Sequence, residues 1–295
     1  MISHKKTPVD VQAMTTDIKN SRILVGNYSG KIYIYDGNEW FETAKQPTSK
    51  PIYKIAGSPN GDIYVVFQNF DYTYKLFKST DNGIIWKNVF DTNTVPISAI
   101  AINNSEEVFF GTEGNGFYKQ NDNTWKQANT GLDNFNILSL VSTPNGTLYA
   151  GTSSAGIYCS TNSGETWLPP SNYNETRCFG LAVVDDNTIF AAAGTEGVLK
   201  SVDGGQHWNQ VSDIWVSMVL YNPITCQIII NDSKDHSIVH RSNDLGASWE
   251  LKNNSITGYV KAFAFDPKSE KTYIGTDDTC VVFYPYDKIH SIEFL

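Results

Sequence analysis

Short runs in which β-branched and aromatic side chains alternate with small or polar ones recur from one end of the chain to the other, and this period-two pattern predicts strands. One such run appears seven times: VQAMT from Val11, IYKIA from Ile52, ISAIA from Ile97, ILSLV from Ile137, CFGLA from Cys178, VSMVL from Val216 and VKAFA from Val260. Each leads into a cluster of turn formers such as SPNGD (Ser58 to Asp62) or TPNGT (Thr143 to Thr147), where Pro presets φ and Gly or Asn accepts a positive φ. Next come ILVGNYSGKIYIY, VFFGTEGNGFYKQ, LYAGTSSAGIYCS, IFAAAGTEGVLKS and TYIGTDDTCVVFY, each made of two apolar runs around a small Gly-containing loop. These read as hairpins.

A third element follows the hairpins. STDNGIIW (Ser79 to Trp86) returns as STNSGETW (Ser160 to Trp167), SVDGGQHW (Ser201 to Trp208) and SNDLGASW (Ser242 to Trp249), with worn copies ending at Trp40 and Trp125. These six tryptophans are spaced by 46, 39, 42, 41 and 41 residues, so six of the seven in the chain mark one repeated position. Self-similarity at about forty residues is the signature of a repeat architecture. The expected fold is all-β, a single seven-bladed β-propeller of four-stranded antiparallel blades, with limits near 9–46, 50–90, 95–130, 135–171, 176–212, 215–254 and 258–295. Ala13, Ala99, Ser139, Gly180 and Ala262 share one column of the innermost strand, where crowding calls for small side chains.

The S-x-D-x-G-x-x-W segments resemble the Asp-box, or BNR, repeat of sialidases, sortilin-type receptors, xyloglucan hydrolases and the propeller that assists photosystem II assembly. The resemblance extends over nearly the whole chain and implies a propeller while leaving function open. It implies a structural role for Ser79, Asp81, Gly83 and Trp86; for Ser160, Gly164 and Trp167; for Ser201, Asp203, Gly205 and Trp208; and for Ser242, Asp244, Gly246 and Trp249. The carboxylates accept backbone N–H groups, the glycines supply permissive φ, and the Trp clamps the turn from outside. Asn162 stands where the other three full copies carry Asp.

Composition then narrows the partners. The 22 Lys plus Arg against 31 Asp plus Glu give a formal charge of -9, which repels phosphate backbones and anionic membrane surfaces, so neither nucleic acid nor membrane insertion is expected. No apolar run reaches the roughly 18 residues that a membrane helix needs. No secretory signal is visible at the start, which leaves a cytoplasmic protein or one exported without a recognisable signal. Cys159, Cys178, Cys226 and Cys280 form no C-x-x-C pair and are expected to be reduced, buried thiols. His236 and His240 fall on a loop and a strand, so no metal site is implied, and no cofactor is expected.

Two enzyme classes compete with a binding role. The sialidases of the resembled family hold a substrate carboxylate with three arginines, and this chain has three in all, Arg22, Arg177 and Arg241. In propeller order, the segment before the inner strand and the loop between the second and third strands face a ligand, which leaves only Arg177 on that side. Sialidase activity is therefore not expected, since the clamp needs converging guanidiniums. A two-carboxylate glycosidase needs only one pair of acids, and the ligand-side loops offer Asp71, Glu113, Glu196, Asp232, Asp235, Asp277 and Asp278. It is the alternative reading, with the family's long catalytic insertions missing from so short a repeat.

The preferred expectation is a non-catalytic module that binds a protein or a glycan through the ligand face near the axis, as a monomer. Trp215 lies outside the repeated tryptophan position, and aromatic rings on such a rim stack on sugars or bury partner side chains. The candidate ligand-binding residues are Arg177, Trp215, Tyr259, Tyr28, Tyr72, Glu113, Glu196 and Asp277, with Phe70 a further aromatic. Trp215 could equally pack between blades, and Tyr53 and Phe179 are assigned to the inter-blade core. The loops NYSG, TEGNG, TSSAG and GTEG share no strong sugar-binding set, which favours one composite site over repeated ones.

Overall fold

The computed structural model describes residues 8–43, 45–69, 71, 73–92, 95–122, 124–252, 256–278 and 280–283. All regular structure among them is strand. In chain order, the first sheet holds β1 (Val11–Asp17), β2 (Arg22–Asn27), β3 (Ile32–Tyr35) and β4 (Trp40–Glu42). The second holds β5 (Ile52–Gly57), β6 (Ile63–Gln68), β7 (Tyr74–Ser79) and β8 (Lys87–Thr92). Then follow β9 (Ile97–Ile102), β10 (Val108–Thr112), β11 (Gly116–Asn121) and β12 (Thr124–Gln127), and the sheet of β13 (Ile137–Ser142), β14 (Leu148–Thr152) and β15 (Ile157–Ser160). Next are β16 (Gly180–Val183), β17 (Ile189–Ala192), β18 (Val198–Ser201) and β19 (Asn209–Ser212), and the sheet of β20 (Val219–Asn222), β21 (Gln227–Asn231), β22 (Val239–Ser242) and β23 (Glu250–Lys252). The last sheet holds β24 (Val260–Phe265), β25 (Thr272–Thr276) and β26 (Cys280–Phe283). Every sheet is an antiparallel meander, as short connections between successive strands dictate.

The expected ring of seven like four-stranded blades is corrected by these sheets. Five have four strands, but β13–β15 and β24–β26 have three among the described residues. The reason is local in the first case. After the turn that follows β15, the returning chain makes a single bridge, Cys159 to Leu168, and then meets Pro169 and Pro170. Proline has no N–H to give, so the ladder stops.

The chain divides into two compact units, Met1–Pro96 with Asn253–Leu295, and Ile97–Lys252. In the first, β1 packs against β24 on one side and β5 on the other. Val11, Ile23, Tyr33, Trp40, Ala264 and Tyr273 form one buried layer, and Leu24, Ile32, Ile52, Val65 and Phe67 form another. The Thr16 hydroxyl donates to the Phe265 carbonyl at 2.8 Å and accepts the Phe265 N–H at 3.0 Å, which ties the last sheet to the first. In the second unit the same stacking repeats between consecutive sheets, around Phe117 and Trp167, then Tyr149 and Trp208, then Phe190 and Ile228. Burial of these large apolar side chains, about 25 cal/mol per Å², supplies the main stabilisation.

The innermost strands carry a detail that the sequence did not show. A register shift falls between Val11 and Ala13, Ile52 and Lys54, Ile97 and Ala99, Ile137 and Ser139, and Val260 and Ala262, at the same place in five repeats, whereas the pairings of β16 with β17 and of β20 with β21 run without one. Just past the shift, Ala13 pairs with Gly26, Ser139 with Gly151 and Ala262 with Gly275. The glycines are required because the first residue of a neighbouring inner strand leans on them. A Cβ at Gly26 would run into Ile52, and one at Gly275 into Val11. At Ala13, Ala99, Ser139 and Ala262 the small column seen in the sequence is thus one half of a close approach whose other half is glycine, whereas Gly180 pairs with Ala192.

Candidate functional site

The repeated turns occupy one edge of the sheets with structural bonds. In each full copy the Ser hydroxyl donates to the carboxylate or amide oxygen two residues on: Ser79 to Asp81 at 2.8 Å, Ser160 to Asn162 at 2.9 Å, Ser201 to Asp203 at 2.9 Å and Ser242 to Asp244 at 2.8 Å. The same hydroxyl accepts the glycine N–H, at 2.9 Å for Gly83, 3.0 Å for Gly164, 2.8 Å for Gly205 and 2.7 Å for Gly246. The acid then accepts a later N–H, from Ile85, Thr166, His207 or Ser248. Bonds of this kind favour the charged form. The His207 backbone N–H brings the Asp203 carboxyl down to about 2, and the Ser248 hydroxyl and N–H do the same for Asp244.

The tryptophans do more than clamp their own turn. Trp167 donates its indole N–H to the Ala128 carbonyl at 3.1 Å, and Trp249 donates to Val211 at 3.0 Å, each acceptor belonging to the chain just past the outer strand of the preceding sheet or within it. Trp86 reaches back likewise to Lys45 at 3.2 Å. Trp208 keeps its indole bond within its turn, to Gly205 at 3.2 Å, while its backbone N–H goes to Asn172. The turn edge is therefore occupied by structural bonds between sheets.

The opposite edge gathers the segments before the inner strands and the loops between second and third strands, as the sequence order implied. In the second unit they are laced together by backbone bonds. Gly114 and Gly116 both donate to the Phe135 carbonyl, Gly156 donates to Thr176, Cys178 donates to Thr152, and Gly194 and Val216 exchange bonds at 3.0 and 3.3 Å. In the first unit, Tyr28 N–H donates to Asp10 at 3.0 Å and Asp277 N–H to Tyr259 at 3.3 Å. Such lacing fixes the backbone of this edge before any ligand arrives.

The candidate side chains fall on this edge as follows. Trp215 is 42% exposed and lies under the Lys234 ammonium, 4.8 Å from the ring centroid. The exposed Arg177 guanidinium lies 4.6 Å from the Phe179 ring centroid, so Phe179 is half-buried beneath a cation and not a core residue. Tyr259 is 56% exposed with the Lys261 ammonium 5.7 Å from its ring, and its N–H donates to Asp277 Oδ1 at 2.6 Å. Tyr28 is exposed beside Asp10. Glu113 bridges through its backbone to Asn136, and Glu196 is exposed on the tight turn between β17 and β18. Tyr72 and Phe70 lie outside the described residues. Each cation on an aromatic face is worth about 0.5 to 1 kcal/mol at an exposed site. Sequence reasoning missed Lys234, whose only signal is its place in an otherwise acidic loop.

The structure thus brings Tyr259 and Asp277 together, and joins the Glu196 turn to the Trp215 segment through Gly194 and Val216. It keeps Glu113 and Glu196 on loops of two sheets that have β13–β15 between them. The other two arginines are elsewhere: Arg22 pairs with Asp17 at 2.6 Å and Arg241 with Glu250 at 2.9 Å, both guanidiniums buried in the sheets. The thiols are not uniformly buried as expected. Cys178 is, and desolvation pushes it up to about 12, but Cys159 is half-buried and Cys226 is exposed in a turn at φ 55°. The Cys280 side chain lies outside the description. Among the described residues no three His, Cys, Asp or Glu side chains gather as a metal site would require.

No protein-family model and no curated protein matches the chain. Solved structures do match its fold. It is similar to a GH74 enzyme of Niastella koreensis (19% identity, TM-score 0.77, 94% of this chain and 52% of that one) and to a GH74 xyloglucanase of Xanthomonas campestris (14%, 0.75, 95% and 52%). It is also similar to YCF48 bound to D1 peptide (14%, TM-score 0.71, 95% of each chain). The chain spans about half the length of the two GH74 proteins. At these identities the likeness establishes the fold, a β-propeller, and leaves the activity open.

Proposed function

We propose that the protein is a non-catalytic propeller that binds a protein partner through the edge of the second unit that carries Arg177 and Trp215. One observation carries this reading: the aromatic side chains of that edge are exposed on a backbone already fixed by bonds between its loops, whereas the opposite edge spends its polar groups on structure. A rigid edge with exposed rings limits the ordering cost of association and offers the residue types in which binding energy concentrates. The peptide-bound YCF48 structure shows that a similar fold accommodates a peptide.

The test is affinity capture from extracts of the native host with wild type, Trp215→Ala and, as a control on the opposite edge, Asp81→Asn. A partner held by wild type and by Asp81→Asn but lost in Trp215→Ala supports the reading. Retention in all three removes it. A glycan array run beside it decides between partner classes, because binding of a sugar through Trp215 with no protein captured would replace the protein by a glycan.

The glycosidase alternative draws on the fold likeness to GH74 proteins and on the exposed carboxylates Glu113 and Glu196. Hydrolysis needs two carboxyl groups about 5 to 10 Å apart across one bond. Here the two acids occupy loops of sheets that are not neighbours in the stack. Release of reducing ends from xyloglucan that disappears in Glu113→Gln or Glu196→Gln would favour the enzyme over the binding module.

A further inference from the structure

Arg177 and Lys234 share a feature that Lys78, Lys200 and Lys261 lack. Lys78 and Lys261 also lie against aromatic rings, but they have Asp62 and Asp277 for counter-ions, and Lys200 donates to the Leu245 carbonyl. Lys54, near the Tyr53 ring, takes part in further interactions. Among the described residues no carboxylate pairs with Arg177 or Lys234. Both are exposed, and both are steered by a ring, Phe179 at 4.6 Å and Trp215 at 4.8 Å.

The two pairs belong to one continuous surface. Phe179, under the guanidinium, stands against Gly194, where an added Cβ would come within 2.9 Å of the ring. Gly194 exchanges two backbone bonds with Val216, next to Trp215, and the Trp215 carbonyl accepts the Ser233 N–H at 2.7 Å, beside Lys234. The order Arg177, Phe179, Gly194, Val216, Trp215, Lys234 therefore runs across two adjacent sheets, with a cation at each end and fixed backbone between.

We propose that this edge binds an acidic peptide segment of the partner, its side-chain carboxylates received by Arg177 and Lys234. This rests on the protein-binding reading above and names the chemistry of its partner. A guanidinium held against a ring face makes no hydrogen bond to the ring carbons and keeps N–H groups for a carboxylate, and ring contact removes part of the rotamer freedom that binding would otherwise cost. The acids nearby do not all compete for the cations. Asp232 accepts the Lys234 and Asp235 N–H groups, and Asp235 accepts the Ser237 hydroxyl and N–H. Glu175, Glu196 and Asp213 are exposed and set a repulsive background, so an acidic segment is held only where it reaches the two cations.

The experiment is fluorescence anisotropy of the full chain with labelled, C-terminally amidated peptides of alternating Glu and Gly, against versions with Gln or Lys in place of Glu. The Glu peptide is expected to bind at least about tenfold tighter than either, and Arg177→Gln and Lys234→Gln are each expected to weaken it by about tenfold, with Phe179→Leu giving a smaller loss. Thermal melts confirm folding of these exposed-site variants. Equal binding of the Glu and Gln peptides, preference for the Lys peptide, or unchanged affinity in both cation variants overturns the proposal. None of these results removes the protein-binding reading, which falls if Trp215→Ala retains the captured partner or if a glycan binds through Trp215 with no protein captured.

Discussion

Asp17 Oδ2 lies 2.6 Å from Arg22 Nε, and both side chains are almost wholly withdrawn from water. The Arg22 Nη1 continues to Asn82 Oδ1 at 3.0 Å, inside the repeated turn of the next sheet. The ion pair thus closes the first turn of one sheet, and the same guanidinium bonds it to the last hairpin of its neighbour. Removing the arginine alone would strand a buried carboxylate. Arg22→Met is expected to cost about 3 to 5 kcal/mol, and the double variant Asp17→Leu, Arg22→Met substantially less, because a buried pair stabilises little beyond what its own desolvation costs. Urea unfolding of the two variants checks the order.

The glycine of the repeated turn meets two demands at once. Gly164 sits at φ 76°, and a Cβ there would run into the Phe117 ring of the preceding sheet. Gly146 has a similar φ of 90° with open space around it. Gly164→Ala is therefore expected to lose about 2 to 4 kcal/mol, strain plus overpacking, and Gly146→Ala about 1 kcal/mol, strain alone. Equal losses in denaturation midpoints would show that the contact with Phe117 is not the reason for the glycine.

Much of this was legible in the sequence because it repeats. The strand runs, the sorting of loops to two edges, and the Ser, Asp and Gly of the turns all follow from side chains recurring in step, as Ser79, Ser160, Ser201 and Ser242 do. What failed to show is what the repeat does not carry. Pro169 and Pro170 stop a fourth strand in one copy only, so counting runs overstated the regularity. The pairing of Trp167 with Ala128 links two repeats, and no pattern within one repeat reveals it. The cation contacts of Trp215 and Phe179 depend on loops that differ in every copy, which is why Phe179 read as core. The residues of the proposed binding edge lie in those unrepeated loops, where a single sequence offers least.

The cysteines should react very differently. Cys178 is buried against Ser139, with its thiol pushed up to about 12 by desolvation, so the thiolate is scarce and shielded at pH 8. Cys226 is exposed. Brief iodoacetamide treatment of the native protein, mapped by mass spectrometry, is expected to modify Cys226 and spare Cys178 until urea is added. Labelling of Cys178 at a rate comparable to Cys226 would mean that the sheet edge around Ser139 opens readily.

The carboxylates of the turns make stability depend on pH in a defined window. Asp203 and Asp244 fall from the ordinary 3.8 to about 2 in the folded chain, the first chiefly through the His207 N–H and the second through the Ser248 hydroxyl and N–H. A carboxyl whose folded pKa is depressed contributes stability that is fully present above the unfolded value and is lost as pH falls through the folded one. The contribution is thus intact at neutral pH and disappears between about pH 4 and pH 2. Asn162 shows how to remove the titration while keeping the turn, since its amide oxygen accepts the Ser160 hydroxyl at 2.9 Å and the Thr166 N–H at 3.0 Å. The double variant Asp203→Asn, Asp244→Asn should retain its fold with a modest loss of stability at pH 7, where charge-assisted bonds become neutral ones. Its stability should then fall less steeply than wild type on acidification. Urea midpoints at intervals from pH 6 to pH 2 measure both slopes, and parallel curves would mean that these two carboxylates contribute nothing through their ionised form.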